Sequence, residues 1–312
     1  MRGAIMSGRT TNNMHILITG GSGLIARLVT DELLNQGYSV SHLSRRPGDN
    51  PKVKTYLWDV YKGEVDENCL EGVSTVLHLA GENIADKRWT DKRKKAIIDS
   101  RTKSIELIYQ LIKNKTNQVN TIISASAIGY YSDRGDELLT EDSLPSNDFM
   151  AQCCIAWEKA VDEGKALGLR ILKFRTGVVL NKSEGALLEM GRPIKLGFGA
   201  PMGSGKQWIP WIHWQDVVDM YIHAIEKINL SGVYNMVAPN PVTNKQLTKA
   251  LAKQLRRPVW PVNIPAFIFK LLMGEMSTIV LGSTRVSAEK IEKDGFRFNF
   301  SELTNALKEI YK

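Results

Sequence analysis

A glycine-rich turn near the start of the chain constrains the fold more than any other feature of this sequence. The run Thr19-Gly-Gly-Ser-Gly-Leu-Ile-Ala26 follows a short apolar segment and precedes leucines at helical spacing. A strand that ends in glycines and passes directly into a helix is typical of dinucleotide binding, although a purely structural turn is the alternative. Gly20 permits the tight turn, Gly23 lets a pyrophosphate approach the backbone, and the small Ala26 lets the helix lie close to the strand. The helix N-terminus then offers free N–H groups to the phosphates.

Strand patterns alternate with helical patterns over the first 180 residues. Strands are predicted at residues 15–19, 39–43, 55–58, 75–79, 121–124 and 170–176, with long helices at 90–113 and 148–167. This alternation, with right-handed crossovers, predicts an α/β fold: a Rossmann-like doubly wound parallel sheet with a smaller mixed α/β C-terminal lobe.

The regular alternation of strand and helix patterns ends at about residue 180. Residues 185–205 are rich in glycine, which predicts a long loop holding a short helix. The later predictions are strands at 207–212 and 232–236, helices at 215–227, 243–255 and 301–311, and an apolar segment at 266–281. We therefore expect a Rossmann domain at 14–180, with contributions from 207–240, and a substrate lobe at 181–312.

Two arginines after the second strand predict which dinucleotide is bound. The strand ends in Ser44-Arg45-Arg46, without the acidic residue that usually accepts a hydrogen bond from the ribose 2′-OH of NAD. Because guanidinium groups offer a rigid fork of donors to phosphate, the pair predicts NADP(H), unless both arginines are merely solvated. Asp59 either contacts adenine or forms a turn, and the small residues of Leu79-Ala80-Gly81 leave room for the cofactor.

The overall composition points to a protein of the cytoplasm. The net charge is +8, and Trp89 is the only aromatic residue in its densest cluster, residues 87–95. Because no aromatic ladder interleaves the cluster, a solvated helix face is preferred to a phosphate-facing role, and nucleic acid comes last. Three cysteines give neither a disulfide framework nor a metal spacing. Residues 1–13 are expected to form a disordered leader, and no apolar run is long enough to span a membrane.

Several longer stretches together resemble the extended short-chain dehydrogenase/reductase superfamily of NAD(P)-dependent epimerase/dehydratase type. They are His78-Leu-Ala-Gly-Glu-Asn-Ile84, Lys87-Arg-Trp-Thr90, Asp99-Ser-Arg101, Ser124-Ala-Ser-Ala-Ile-Gly-Tyr-Tyr131, Phe174-Arg-Thr-Gly-Val-Val179, Gly203-Ser-Gly-Lys-Gln-Trp208 and Trp211-Ile-His213. More narrowly, the chain resembles an epimerase-family subgroup of unknown substrate, some members of which are labelled cell-division inhibitor homologues. Residues 265–298 resemble that subgroup's C-terminal domain of unknown function, which we place within 255–300.

The resemblance adds Arg101 and Val179 to the cofactor contacts suggested by the residues themselves. The complete predicted set is Gly20, Ser22, Gly23, Leu24, Ile25, Ser44, Arg45, Arg46, Leu79, Ala80, Gly81, Glu82, Arg101 and Val179.

The catalytic residues of the superfamily are only partly present. Such enzymes use a Ser, a Tyr that acts as general acid/base, and a Lys four residues after the Tyr. Ser126 matches the serine. Alignment on Glu158 places Met150 at the tyrosine position and Cys154 at the lysine position, and neither side chain can do that work. Cys154 as a nucleophile is the least favoured role, since a buried thiol is inert.

The substitute proton donors considered are Tyr130 and Tyr131, which follow Ser126 and otherwise pack a loop. Lys206, Trp208 and His213 could reach in from the small lobe, and Glu82 and Asn83 could line the pocket near the nicotinamide; structural roles are equally open for each.

Two functions from different classes remain. The first is an NADP(H)-dependent oxidoreductase or epimerase of unknown small-molecule substrate. The alternative is a catalytically silent NADP(H)-binding regulator, which the labels of the subgroup would link to cell division. The expected partners exclude nucleic acid and membrane, no metal is expected, and the protein is expected to be a monomer or homodimer.

Overall fold

The computed structural model of the protein describes residues 14–312, so the predicted leader lies outside the described residues. The strands are β1 (His15–Thr19), β2 (Ser39–Ser44), β3 (Lys54–Asp59), β4 (Glu64–Val65), β5 (Val73–His78), β6 (Thr121–Ala127), β7 (Leu138–Leu139), β8 (Arg170–Thr176), β9 (Val178–Leu180), β10 (Trp208–Ile209), β11 (Trp211–His213), β12 (Gly232–Met236), β13 (Val242–Thr243) and β14 (Arg285–Val286). The α-helices are α1 (Leu24–Asn35), α2 (Asp91–Asn114), α3 (Phe149–Asp162), α4 (Ala186–Lys195), α5 (Trp214–Glu226), α6 (Asn244–Gln254), α7 (Ala266–Met273), α8 (Thr278–Leu281), α9 (Glu289–Lys293) and α10 (Leu303–Ile310).

Eight strands form one sheet in the order β12-β8-β6-β5-β1-β2-β3-β4. All neighbours are parallel except the short edge strand β4, which runs antiparallel to β3. The order reverses at β1, because β2 lies on one side of it and β5 on the other. Ligands of doubly wound sheets bind at the carboxyl ends of the strands at such a reversal. The predicted Rossmann-like fold is confirmed.

The sheet is covered by helices on both faces because its strands are apolar on both sides. Ile16 and Ile18 of β1 belong to the core that includes α1 and α5 residues, whereas Leu17 belongs to the core that includes α2 and α3 residues. A third core, around Trp211 and Leu247, holds α4, α6 and α10 together. A parallel sheet that is buried on both faces requires such strands, which are apolar throughout and whose successive side chains pack on opposite faces.

The helix starts follow local sequence rules. Thr90 caps α2 by accepting a hydrogen bond from Arg93 N, and Asp148 caps α3 by accepting one from Ala151 N. Such caps satisfy N–H groups that the first helical turn leaves without partners. Gly23 precedes α1 and offers no side-chain cap. The first amides of α1 are therefore available to a bound anion.

Several sequence predictions are corrected. The strand predicted at 207–212 is two short strands separated by Pro210: β10 pairs with β13, β11 pairs with β9, and neither joins the main sheet. Proline has no N–H for a continuous ladder. The helix predicted at 148–167 ends its α-helical part at Asp162 and continues as a 3₁₀ turn. The apolar segment 266–281 forms two short helices, α7 and α8, joined by another 3₁₀ turn.

The sequence analysis also missed several short elements: β4, β7, β9, β13, β14 and α9. Within residues 14–312, every helix is too short or too polar to cross a lipid bilayer.

Candidate functional site

The glycine turn is held against the end of β5. Gly20 has φ +71°, and a Cβ added there would lie 3.0 Å from Ala80 Cα, so no side chain fits. Thr19 Oγ1 accepts hydrogen bonds from Leu79 N and Ala80 N, both at 3.0 Å. These contacts bring the turn and the Leu79–Ala80 backbone together at the reversal of strand order. Thr19 was not predicted, although it ends the strand beside the first glycine.

Two adjoining cavities open over this turn. The larger, of about 1000 Å³, extends along the end of β2, and the smaller, of about 160 Å³, lies against the loop after β5. Together they are lined by most of the predicted cofactor residues: Gly20, Ser22, Gly23, Leu24, Ser44, Arg45, Arg46, Leu79, Ala80, Gly81 and Glu82. We call the two cavities the nucleotide groove.

Three predicted cofactor residues lie outside the lining of the nucleotide groove. Ile25 packs against the core beneath α1, and Val179 lies in β9, paired with Ile212. The Arg101 guanidinium lies 5.0 Å from the Trp157 ring and donates to the Glu82 carbonyl at 3.1 Å. Arg101 therefore supports the loop after β5, which is a structural contact that its predicted phosphate-facing role did not anticipate.

Arg45 and Arg46 provide positive charge at the rim of the nucleotide groove. The Arg45 side chain is 69% exposed, and its guanidinium lies 4.0 Å from Glu82 Oε1. Arg46 is also exposed. Asp59, by contrast, accepts backbone hydrogen bonds from Tyr61 and Lys62, so it has the turn-forming role. Solvated guanidinium groups at a cavity rim can reorient toward a phosphate at little cost.

Glu82 is the acidic residue that lines the smaller cavity of the nucleotide groove. It forms an ion pair with Arg93 and accepts a hydrogen bond from the Tyr61 hydroxyl at 3.1 Å. Burial alone would raise the pKa of Glu82, but the hydrogen bonds from Arg93 and Tyr61 outweigh it and lower the pKa. The carboxylate is therefore ionised and faces Arg45. Tyr61 and Arg93 were not predicted, since their partners are distant in sequence.

Ser126 ends β6 with its hydroxyl already engaged. It donates to Glu158 Oε1 at 2.7 Å, and Arg175 binds both oxygens of that carboxylate, at 2.8 and 2.9 Å. All three residues are buried. The Glu158 side chain accepts from both neighbours, so the hydroxyl proton of Ser126 is directed toward Glu158.

The two candidate tyrosines differ in burial and in the hydrogen bonding of their hydroxyl groups. Tyr131 is completely buried, donating to Asn235 Oδ1 at 2.7 Å and accepting from Arg175 at 2.9 Å, and burial raises its pKa to about 12 despite the nearby Arg175. Its predicted catalytic role is therefore corrected to a structural one. Tyr130 is half-buried, with the Arg175 guanidinium 3.4 Å from its ring centre, and its hydroxyl has no hydrogen-bond partner within residues 14–312.

Met150 and Cys154, which occupy the family's tyrosine and lysine positions, both adjoin the turn that carries Tyr130. A Cβ added at Gly129 would lie 3.3 Å from Met150 Cβ and 3.6 Å from Cys154 Sγ. The Cys154 thiol is buried, which raises its pKa, and it donates to the Ala127 carbonyl. A buried neutral thiol is not a nucleophile.

The groups expected to reach in from the small lobe are engaged or remote. His213 is completely buried, its Nδ1 accepts from Gln215 N, and burial lowers its pKa to about 4. The Trp208 indole donates to Asp136 at 2.7 Å, and Lys206 is exposed. His213 thus caps α5, the structural role that the sequence left open.

A buried histidine, not predicted, links the sheet to α2. His78 ends β5, its Nδ1 lies 2.9 Å from Ser124 Oγ, and its Nε2 lies 2.7 Å from Ser104 Oγ. Complete burial, and to a lesser extent the charge of Arg101, lowers the pKa of His78 to about 3. The neutral ring fixes the ends of β5 and β6, which carry Leu79 and Ser126. The sequence signal that could have identified His78 is its position as a polar residue at the end of an apolar strand.

Comparison with known proteins agrees with this geometry. The sequence model of the NAD dependent epimerase/dehydratase family matches residues 16–236, and that of a domain of unknown function, DUF1731, matches residues 264–310. This chain belongs to the NAD dependent epimerase/dehydratase family. Its sequence is 36% identical over 299 residues to the epimerase family protein YfhF of Bacillus subtilis, covering 95% of this chain and 98% of that protein.

Solved structures of this epimerase family extend the comparison. The human epimerase family protein SDR39U1 (isoform 2) with NADPH is 30% identical, with a TM-score of 0.83, covering 96% of this chain and 99% of that chain. A nucleoside-diphosphate sugar epimerase from Corynebacterium glutamicum is 32% identical, with a TM-score of 0.78, covering 95% of this chain but only 58% of the other.

Proposed function

We propose that this protein binds NADP(H) in the nucleotide groove and acts as an oxidoreductase or epimerase on a small molecule. The observation that carries the proposal is the position of Arg45 and Arg46 on the rim of a cavity that begins at the glycine turn. The pyrophosphate would lie on the free amides at the start of α1, and the arginines would neutralise the 2′-phosphate of the adenosine ribose. The NADPH present in the structure of human SDR39U1 supports this choice.

The remaining predicted contacts fit the same ligand. Ser22, Ser44 and Arg45 line both cavities, so a dinucleotide that bridges the cavities passes these residues. Leu79, Ala80 and the adjacent glycine line the smaller cavity with small or apolar groups. When bound, NADP(H) supplies or accepts a hydride.

Of the two tyrosines, we propose Tyr130 as the proton donor; it lies outside the lining of the nucleotide groove. Its hydroxyl is free, whereas that of Tyr131 is engaged in the core. Arg175 replaces the family's lysine as a fixed positive charge, 3.4 Å from the Tyr130 ring, where it stabilises negative charge that develops on the phenol oxygen during proton transfer. Its ion pair with Glu158 holds the guanidinium in place.

The alternative is an NADP(H)-binding regulator without turnover. It is favoured by the side chains at the usual acid/base positions, Met150 and Cys154, of which the second is a buried neutral thiol. In this case NADP(H) would act by stabilising one conformation or one partner complex. A link to cell division has no support in the geometry of the groove.

Calorimetric titration with NADPH and NADH tests the cofactor assignment. We expect NADPH to bind at least tenfold more tightly, because a charge-assisted hydrogen bond contributes about 1.5–3 kcal/mol. Arg45→Glu should remove this preference, whereas Arg297→Glu, an equal charge change at an exposed residue outside the groove lining, should keep it. Equal affinity of the unmodified protein for NADH and NADPH would refute the assignment.

Hydride transfer tests the reaction. Purified protein would be incubated with NADPH deuterated at C4 and a panel of carbonyl compounds and nucleotide sugars, and deuterated product measured by mass spectrometry. Tyr130→Phe should lower turnover by about 10²–10⁴-fold with NADPH affinity unchanged, since general acid catalysis contributes that much. The matched control is Tyr311→Phe, in the C-terminal lobe. Tight NADPH binding without transfer to any compound would favour the regulator.

A further inference from the structure

Helix α7 leaves its apolar side chains in solvent. None of its residues is buried, and the exposed fractions are 66% for Phe267, 75% for Leu271 and 65% for Leu272. Isolated apolar residues on a surface need no explanation, but a cluster on one short helix marks an interaction surface. The nucleotide groove does not include this helix, so the cluster is independent of the proposed function.

The exposed cluster carries a positive charge within it. Phe267, Lys270 and Leu271 are spaced i, i+3 and i+4, so they lie on one face of α7. Lys270 is exposed along with its neighbours. The long lysine stem lets such a cation reach lipid phosphates while the apolar side chains beside it lie in the headgroup region.

A basic segment adjoins this helix. The Arg88 guanidinium donates to the carbonyls of Leu272, at 2.8 Å, and Leu271, at 3.4 Å, at the C-terminal end of α7. Lys94 forms an ion pair with Glu275, just beyond the same end. These contacts fix the basic run 87–95 beside α7. Residues 84–95 and 266–277 together carry seven Lys or Arg against three Asp or Glu. Three of these cations, Arg93, Lys94 and Lys95, form ion pairs with carboxylates, so the charge offered to a partner comes from Lys87, Arg88, Lys92 and Lys270.

We propose that α7 and the adjoining basic run 87–95, named here the α7 surface, dock on an anionic lipid bilayer. The apolar side chains would enter the headgroup region while the cations meet the lipid phosphates. A second copy of the chain fits less well, because two α7 surfaces would bring like charges together. The expected lack of a membrane partner rested on the lack of a spanning segment, which surface binding does not require.

Co-sedimentation with vesicles tests this proposal. The full chain would be mixed with two kinds of vesicle, one of phosphatidylcholine alone and one that also contains about 30% phosphatidylglycerol. Both mixtures would be kept at roughly physiological ionic strength. We expect binding at least about tenfold tighter to the anionic vesicles, because each cation near the surface adds attraction, and much of it should be lost at 0.5 M salt. Leu271→Glu should weaken binding by about tenfold or more, since it exchanges an apolar contact for a repelled charge.

The matched control is Ile228→Glu, which introduces the same charge at a residue that is 73% exposed and lies just after α5. It should bind vesicles as the unmodified protein does. Retained NADPH affinity and circular dichroism would show that Leu271→Glu is folded. Three results would overturn the proposal: no binding to anionic vesicles, equal loss in both variants, or a concentration-dependent dimer that Leu271→Glu dissociates.

Discussion

Acidification tests the buried position of His78, since the folded protein must keep its imidazole neutral. Its pKa is about 3, against an ordinary value of 6.5, because the ring is fully buried. The unfolded chain takes up the proton below pH 6.5 and the folded chain does not. The unfolded state therefore binds more protons, and the free energy of unfolding decreases as the pH is lowered. This contribution is fully present above pH 6.5 and is lost as the pH falls toward 3.

The magnitude follows from the difference between the two pKa values. At about 1.4 kcal/mol per pH unit, the whole effect is on the order of 5 kcal/mol. Between pH 7 and pH 5, only the first part of that range is crossed, and the expected loss is about 2 kcal/mol. A loss of this size is a large fraction of the 5–15 kcal/mol that typically stabilises a domain.

Urea unfolding, followed by circular dichroism at pH 7 and pH 5, gives the free energy of unfolding at each pH. His78→Gln keeps a polar side chain but cannot titrate, so the variant should lose about 2 kcal/mol less than the unmodified protein between the two pH values. The control is His15→Gln, at a half-buried histidine. It should reduce the loss of stability between pH 7 and pH 5 by less than His78→Gln does. Parallel stability curves for the unmodified protein and His78→Gln would show that the ring is hydrated or charged in the fold.

Three further substitutions test the site. Gly20→Ala places a methyl group 3.0 Å from Ala80 Cα at a positive φ, so calorimetry should show NADPH binding weakened tenfold or more; unchanged affinity would contradict the turn geometry. Arg175→Met leaves the Glu158 carboxylate buried without its partner and should cost about 3–5 kcal/mol in urea unfolding, whereas a loss below 1 kcal/mol would mean that the pair is hydrated. Glu82→Gln removes the negative charge that faces the arginine at the groove rim. NADPH should then bind about two- to fivefold more tightly, because a partly exposed ion pair contributes little. Weaker binding would mean that this carboxylate itself contacts the cofactor.

The sheet and the glycine turn were predictable because their signals are local. The apolar run of β1, the glycines after it and the helical leucines that follow lie within about 20 residues, and each acts through neighbours in the chain. Arg45 and Arg46 were found in the same way, by their position at the end of the second strand. Pro210 split a predicted strand although its effect is also local, because the apolar residues on both sides masked it.

The acid/base region was not predictable to the same degree. Tyr130 and Tyr131 are adjacent in sequence and were equal candidates, and only the positions of Arg175 and Asn235, far along the chain, distinguish them. Arg101 was expected to face a phosphate, and its contacts with the Glu82 carbonyl and the Trp157 indole, which lie on other elements, were not foreseen. Contacts between distant segments decide such cases, and one sequence does not contain them.

The hydrogen bond from Ser126 to Glu158 has a consequence for substrate screening. With its only proton directed inward, the serine oxygen offers lone pairs alone to whatever lies beside it. A secondary alcohol, which brings its own hydrogen, suits that oxygen, whereas a ketone would face it acceptor to acceptor. Secondary alcohols with NADP⁺ should therefore be screened beside the carbonyl compounds with NADPH, and the ketones should show the higher Michaelis constant.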